Sequence, residues 1–262
     1  MSQSPTLCTI ILAHNNAQTI EKCVRSAKFS DQVIVIDSGS TDDTREIAAR
    51  CGAKVHTQPW LGYAQQRNKA IELTTCDWIL MLDSDEHLSE HASKLLTYLK
   101  TDQFSGFSLN IKLIFREKVC HYFHNKKNGF LRLFKRSCGQ YNPHKQVHED
   151  LQINGKTTYL RDIIVYHQSF TNITDMIAKM NTYTSLNADY TLTHTDKQLS
   201  VSMAFVKFIA SFVKHYLFNK GFMDGPFGFV YSIHYALSSY FHAIKCVYPD
   251  IQKEKSTVAD NQ

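Results

Sequence analysis

Asp77-Trp78-Ile79-Leu80-Met81-Leu82-Asp83-Ser84-Asp85 is an apolar run, Trp78 to Leu82, that ends abruptly on two acids one residue apart. A continuous apolar run of this length reads as a strand buried on both faces. Working outward, the same reading fits Leu7–Ala13 and Gln32–Asp37, with a weaker strand over Lys54–Thr57. Helical patterns fill the gaps. One begins at about Asn16 and puts Ile20, Val24 and Ala27 on one face. Ser40 and Asp43 have capping-box spacing before a helix ended by Gly52, and Gly62–Leu73 is a third helix. Strand–helix alternation predicts an α/β fold, a mostly parallel sheet with helices on both faces and right-handed crossovers. Such sheets bind ligands beyond the carboxyl ends of their strands, and Asp37 and Asp83 both stand at such ends.

With 16 Asp in 262 residues, a D-x-D spacing arises about once by chance, so its position carries the information. Two carboxylates crowded at a strand end either cap a following helix or hold a cation against an anionic ligand. Hard oxygen donors suit Mg²⁺ or Mn²⁺ shared with phosphate oxygens. Other phosphate-binding devices are missing. The first glycine is Gly39, so no glycine-rich turn follows the first strand, which argues against a nicotinamide-binding Rossmann domain and a P-loop enzyme. Nor is there a G-x-S-x-G elbow for acyl transfer.

Composition, at 43% apolar and 20% charged, is that of a globular chain. The seven cysteines are scattered with no C-x-x-C, which predicts neither a zinc ribbon nor a disulfide framework and favours a reducing compartment. Leu7–Ala13 has no basic segment before it and no cleavage site after it, so a cytoplasmic protein is expected. The net charge of +5 is unevenly spread: from Gln103 to His148 there are nine Lys/Arg against the single acid Glu117. That segment is either a solvated hairpin face or a surface meeting anionic substrate or lipid. No zinc-finger spacing or RNA-recognition motif accompanies it, so no nucleic-acid partner is expected.

Asp37-Ser38-Gly39-Ser40-Thr41-Asp42-Asp43-Thr44, Gln66-Arg67-Asn68 and the Asp77–Asp85 stretch together resemble the family 2 glycosyltransferases, in order and spacing, from about Leu7 to Lys100. The resemblance implies a GT-A domain that binds a nucleotide-sugar, a UDP-sugar first, at the strand ends. It implies that Asp37 accepts a hydrogen bond from the nucleotide base, with the backbone around Ala13 and His14 beside it. Arg67 would face the base or the diphosphate. Asp83, with Ser84, would approach the ribose and the metal shell, and Asp85 would ligate Mg²⁺ or Mn²⁺, which neutralises the departing diphosphate. The chain departs from the family at Asn15-Asn16, where Asn followed by Glu is common.

Gly106–Arg116 and Gly129–Arg136 read as strands around a basic, His-rich loop. Val147-His148-Glu149-Asp150 and Ile163-Ile164-Val165-Tyr166-His167 follow, and are similar to a narrower group, the bacterial lipopolysaccharide-core glycosyltransferases. In that likeness Glu149 is the catalytic base, with Asp150 as second choice, and His167 is a further metal ligand. Read without it, Glu149 is a surface acid and His167 a core histidine. The implied activity is inverting, metal-dependent transfer of a hexose, first glucose from UDP-glucose. The implied acceptor is a lipid-linked saccharide, the lipopolysaccharide inner core. The alternatives are a transferase on polyprenyl-phosphate or capsule intermediates, and a non-enzymatic membrane protein on a degenerate GT-A fold.

A helix is expected over Asn172–Tyr190, with Met176, Met180 and Tyr183 on one face. A broad stripe follows from Val201 through Phe205, Phe208, Ile209, Phe212, Val213 and Tyr216 to Leu217, and Pro226 suits the first turn of a helix running to about Tyr248. The predicted division is a catalytic domain over 1–170, a helical region over 171–251 and a flexible tail over 252–262. Residues 201–248 hold 13 of the 31 aromatics, with four lysines against Asp224. They are expected to lie on an anionic membrane surface, peripheral at the inner face of the cytoplasmic membrane. Pro226–Tyr248 reads as the one stretch of spanning length, and its serines, histidines and Lys245 argue against insertion.

Overall fold

Leu7–Ala13, buried along its whole length, forms β1. It pairs in parallel with β2 (Gln32–Asp37), which pairs in parallel with β3 (Lys54–Thr57); α1 (Ile20–Ser26) and α2 (Thr44–Arg50) are the crossovers. After α3 (Tyr63–Glu72) the chain returns as β4 (Trp78–Asp83), parallel to β1 on its other side. Successive residues of these strands alternate between two apolar clusters. Leu7, Ile11, Val35, Trp78 and Leu80 belong to one, and Cys8, Ile10, Ile34, Ile79 and Met81 to the other. Burial on both faces is why the strands read as unbroken apolar runs.

In the computed structural model, residues 4–115, 118–122, 128–142, 151–195 and 199–249 are described. β5 (Glu86–Leu88) and α4 (Leu95–Tyr98) lead to β6 (Gly106–Phe115), β7 (Lys118–Val119), β8 (Phe130–Lys135), β9 (Gly139–Tyr141), β10 (Leu151–Ile153) and β11 (Thr157–His167). The main sheet has the order β3-β2-β1-β4-β8-β6-β11-β5, with β7 on β6, while β9 and β10 form a separate antiparallel pair. β8 runs antiparallel to both β4 and β6, so the parallel half foreseen from strand–helix alternation is joined to a mixed half.

Three local expectations are corrected. The D-x-D pair is followed by a strand and not by a helix. Glu86 and Leu88 are drawn into the interior, and β5 pairs antiparallel with the end of β11, placing Glu86 opposite His167. Ser40 does not cap α2, whose cap position is Asp43 without a side-chain bond. The Ser40 hydroxyl donates to Asp37 instead, and Asp42 takes bonds from the Thr44 N–H and hydroxyl. The first helix also starts at Ile20, because Asn16–Thr19 form a turn in which the Asn16 carbonyl accepts from Thr19 and Ile20.

The described residues fall into two compact units, within 1–119 plus 125–169 and within 120–124 plus 170–262. The second unit contains α5 (Ile173–His194), α6 (Val201–Val213) and α7 (Gly225–Val247). Asn172 caps α5 by accepting from Asp175 N at 2.8 Å. A π-helical turn, Lys214–Phe218, extends α6. Entry into α7 is tight: a Cβ on Gly228 would lie 1.9 Å from the Gly221 carbonyl oxygen, so only glycine fits. Lys245 does not face outward. Its Nζ donates to Asn181 O and Oδ1, Thr184 Oγ1 and Ser185 Oγ, locking α7 onto α5.

Among the described residues the stretch apolar and long enough to cross a membrane is Val201–Phe218, with only 6% of it buried, and not Pro226–Tyr248. The π-helical turn supplies the missing length, since α6 alone has 13 residues. The polar residues of α7 lower its apolar character, and several of them face its neighbours.

Candidate active site

At the carboxyl ends of β1 and β2 the chain is organised by Asn15, Asn16 and Asp37. Asn15 sits in the left-handed region (φ 53°), donates its N–H to Ser40 Oγ at 2.9 Å and accepts from Thr41 N at 2.8 Å. Asn is among the few side chains that tolerate this backbone. Asp37 is wholly buried. Its oxygens accept from Gly39 N at 3.1 Å, Ser40 N at 2.9 Å and the Ser40 hydroxyl. The carboxylate expected to reach the nucleotide base is therefore enclosed, and it shapes the Ser38–Ser40 turn. Beside it, Ala13 O accepts from Ser38 N at 2.9 Å, and His14 is exposed. Asn16, at the position where Glu is common, accepts from Ser84 Oγ at 2.7 Å and ties the β1 end to the D-x-D turn.

The two acids of that turn have different surroundings. Asp83 Oδ1 accepts from Arg67 Nη2 at 2.8 Å, and Oδ2 from Arg132 Nη2 at 3.3 Å. Burial would raise the Asp83 carboxyl, but the two guanidiniums outweigh it and hold it well below the usual carboxylate range. Arg67 also lies over the Tyr141 ring, 5.5 Å from its centroid. Arg132 is shared: its Nη2 reaches Glu86 Oε1 at 2.5 Å, while Glu86 Oε2 accepts from Asp83 N at 3.0 Å. Glu86 thus fixes both an arginine and the backbone of the turn.

Asp85 meets His167, with Oδ2 and Nε2 separated by 3.4 Å, and both side chains are partly exposed. Pairing of the strand ends sets this approach, since Gln168 N donates to Asp85 O at 2.8 Å. Burial lowers the affinity of His167 for its proton, but the bond to Asp85 together with the negative charges of Asp85, Glu86 and Asp83 more than offsets it, and the imidazole is pushed up to about 9. An oxygen and a nitrogen donor converge here at the open edge, and they fit a divalent cation as two of its ligands. Among the described residues no third His, Cys, Asp or Glu joins them, so the other positions would fall to water and phosphate oxygens. Asp83, also expected in the metal shell, has both oxygens engaged by arginine. Glu149 and Asp150 lie outside the described residues.

A family model, glycosyl transferase family 2, matches residues 8–164. The chain belongs to glycosyltransferase family 2. It is 30% identical over 268 residues to an uncharacterised glycosyltransferase of Rickettsia prowazekii, covering 97% of this chain and 91% of that one. It is 26% identical over 257 residues to the lipopolysaccharide core biosynthesis glycosyltransferase LpsC of Rhizobium meliloti, covering 91% and 94%. Among solved structures it is similar to glucosyl-3-phosphoglycerate synthase from Mycobacterium tuberculosis in complex with Mg²⁺ and UDP. That match has 25% identity and a TM-score of 0.33, and covers 43% of this chain and 44% of that one. As a family 2 member the chain is a transferase, and its sheet is that of the GT-A class.

Glu86 and Arg132 are the residues of this site that motif reading missed. Arg132 falls within the basic segment, and Glu86 stands directly after the D-x-D, outside the motif. The available signal was an arginine inside the apolar run Phe130-Leu131-Arg132-Leu133-Phe134, because a charge placed in a buried strand requires a counter-ion. Arg132→Met strands the fully buried Glu86 carboxylate and is expected to destabilise the protein by about 3–5 kcal/mol. Urea unfolding checks this. The double variant Arg132→Met/Glu86→Leu should recover much of the loss, and equal stability of wild type and single variant would show the pair to be unimportant.

Proposed function

We propose that this family 2 transferase moves a hexose, glucose from UDP-glucose first, onto a lipid-linked saccharide, with inversion at the anomeric carbon. The observation that carries the reading is the division of labour at the D-x-D turn. Arg67 and Arg132 neutralise Asp83, which leaves Asp85 and His167 as the pair open to a divalent cation. When bound there, Mg²⁺ or Mn²⁺ would supply Lewis-acid neutralisation of the leaving diphosphate. The chain's own residues do the rest. Asp85 and the neutral form of His167 hold the cation. Asp83, fixed by two guanidiniums and still about one-third exposed, faces the ribose side. The Ser38–Ser40 turn, organised by Asp37, offers its backbone to the base. From the resemblance, Glu149 takes the proton of the attacking hydroxyl.

The relative LpsC, by its name, acts in lipopolysaccharide core biosynthesis, which favours a core saccharide as acceptor over capsule or polyprenyl-phosphate intermediates. A screen of sugar nucleotides with Mg²⁺ and Mn²⁺, reading thermal shift and slow hydrolysis, tests the donor. UDP-glucose should stabilise the protein most, and failure of every sugar nucleotide to bind would refute the reading and favour a degenerate, non-enzymatic GT-A protein.

A lipid-linked acceptor calls for a membrane surface, and we place the protein at the cytoplasmic face. Phe205, Val206 and Phe218 are 61%, 65% and 78% exposed, and Lys214 and Lys220 are exposed near them. Apolar rings flanked by lysines, with no acid between Val201 and Met223, suit an interfacial helix on anionic lipid. Each nearby lysine adds about 1 kcal/mol, screened by salt, while the apolar part is not. In flotation with anionic vesicles, wild type should bind and partly resist salt. Val206→Glu/Phe218→Glu should weaken binding at least about tenfold. Wild type that stays free of anionic vesicles at low salt would remove the membrane assignment.

A further inference from the structure

The loop between β3 and α3 and the first residue of α3 carry one aromatic ring each, for which the transfer chemistry above has no use. Trp60 is 49% exposed and Tyr63 40%, and their rings meet edge to face at 4.6 Å between centroids. Large rings left in water forgo the stabilisation of burial, so the firmness of their support is informative. Gln66 fastens this loop from beneath and is itself wholly buried. Its Oε1 accepts from Leu61 N at 3.3 Å, and its Nε2 donates to Gln58 O at 3.1 Å and Ser38 Oγ at 3.2 Å. Gln58 N in turn donates to Asp37 O at 2.9 Å. Trp60 is thus tied, through its own loop, to the Asp37–Ser38 corner of the site.

We infer that Trp60 is a stacking face for the base of the nucleoside diphosphate, with Tyr63 bracing the indole; this rests on the nucleotide-sugar reading. The strand order sets the span along this edge between the two corners of the site. From Asp85 at the end of β4, across β1, to the ends of β2 and β3 is two to three strand spacings, about 10–14 Å. A nucleoside diphosphate laid along the sheet edge covers a comparable length. With its phosphates near Asp85 and His167, its base lies toward Trp60 and its sugar toward β8 and β11. The acceptor must meet the anomeric carbon beyond the diphosphate, on the side away from Trp60. A saccharide acceptor is therefore the wrong occupant for this ring, and a planar base, which offers a π-face whatever its identity, is the right one.

The second tryptophan, Trp78, is 2% exposed, so Trp60 is the one that a ligand in solution can reach. The full chain is titrated with UDP, and with GDP and ADP in turn, in the presence of Mg²⁺, following tryptophan emission and heat. The accepted base should quench wild-type emission. Trp60→Ala should abolish that quench and weaken nucleotide binding about tenfold or more, and Trp60→Phe should recover most of the affinity. Pyrophosphate with Mg²⁺ should bind wild type and Trp60→Ala alike. Unchanged nucleotide affinity in Trp60→Ala overturns the platform, as does an equal loss for nucleotide and pyrophosphate, which would mean general damage to the loop. If none of these nucleotides binds wild type, the donor reading itself has failed, an outcome distinct from loss of the platform alone.

Discussion

Asp85→Ala should lower glycosyl transfer by about 10²–10³ and remove the metal-dependent part of nucleotide-sugar affinity. The expectation rests on the allocation of charge at the D-x-D turn. Three carboxylates stand there, Asp83, Asp85 and Glu86, and two guanidiniums are bonded to Asp83 and Glu86. Asp85 pairs with His167 and is the carboxylate that the proposed function gives to the cation. Its side chain is partly exposed and its main partner is His167, so the variant should fold and melt close to wild type. His167→Ala should show the same pattern more weakly, because a carboxylate remains. Transfer assays with graded Mn²⁺ or Mg²⁺ check both variants. Full wild-type activity in excess chelator would overturn the assignment of Asp85.

Glu149→Gln should leave donor affinity near wild type while turnover falls by about 10²–10⁴. An inverting attack makes the new bond to the anomeric carbon as the acceptor hydroxyl sheds its proton, and glutamine keeps the shape of glutamate without taking a proton. The informative quantity is the split between binding and turnover: a residue that only supports the fold would change both, together with the melting temperature. Asp150→Asn is the matched comparison. If it shows the loss and Glu149→Gln transfers normally, the base is the neighbouring residue.

The sequence by itself determined the parallel half of the sheet. Leu7–Ala13, Gln32–Asp37 and Trp78–Leu82 are short apolar runs whose only polar residues are Thr9, Gln32 and Asp37, and their length and β-branched content fit strands buried on both faces. Because crossovers between parallel strands bring their carboxyl ends to one edge, the sequence also determined that Asp37 and the D-x-D turn belong to one region. Motif order carried the family. What tertiary structure decided is how the charges there are shared. Asp37 and Asp83 look alike as acids ending strands, yet one is enclosed beneath a serine turn and the other is clasped by two arginines. Arg67 and Arg132 come from 16 and 49 residues away along the chain, and His167 meets Asp85 because β5 folds back onto β11. Periodicity reports which face of a strand is buried. It carries no record of which distant strand lies beside it, so Glu86 and Arg132 could not be paired, nor the arginine-bound Asp83 told apart from the histidine-bound Asp85, before the strands were in register.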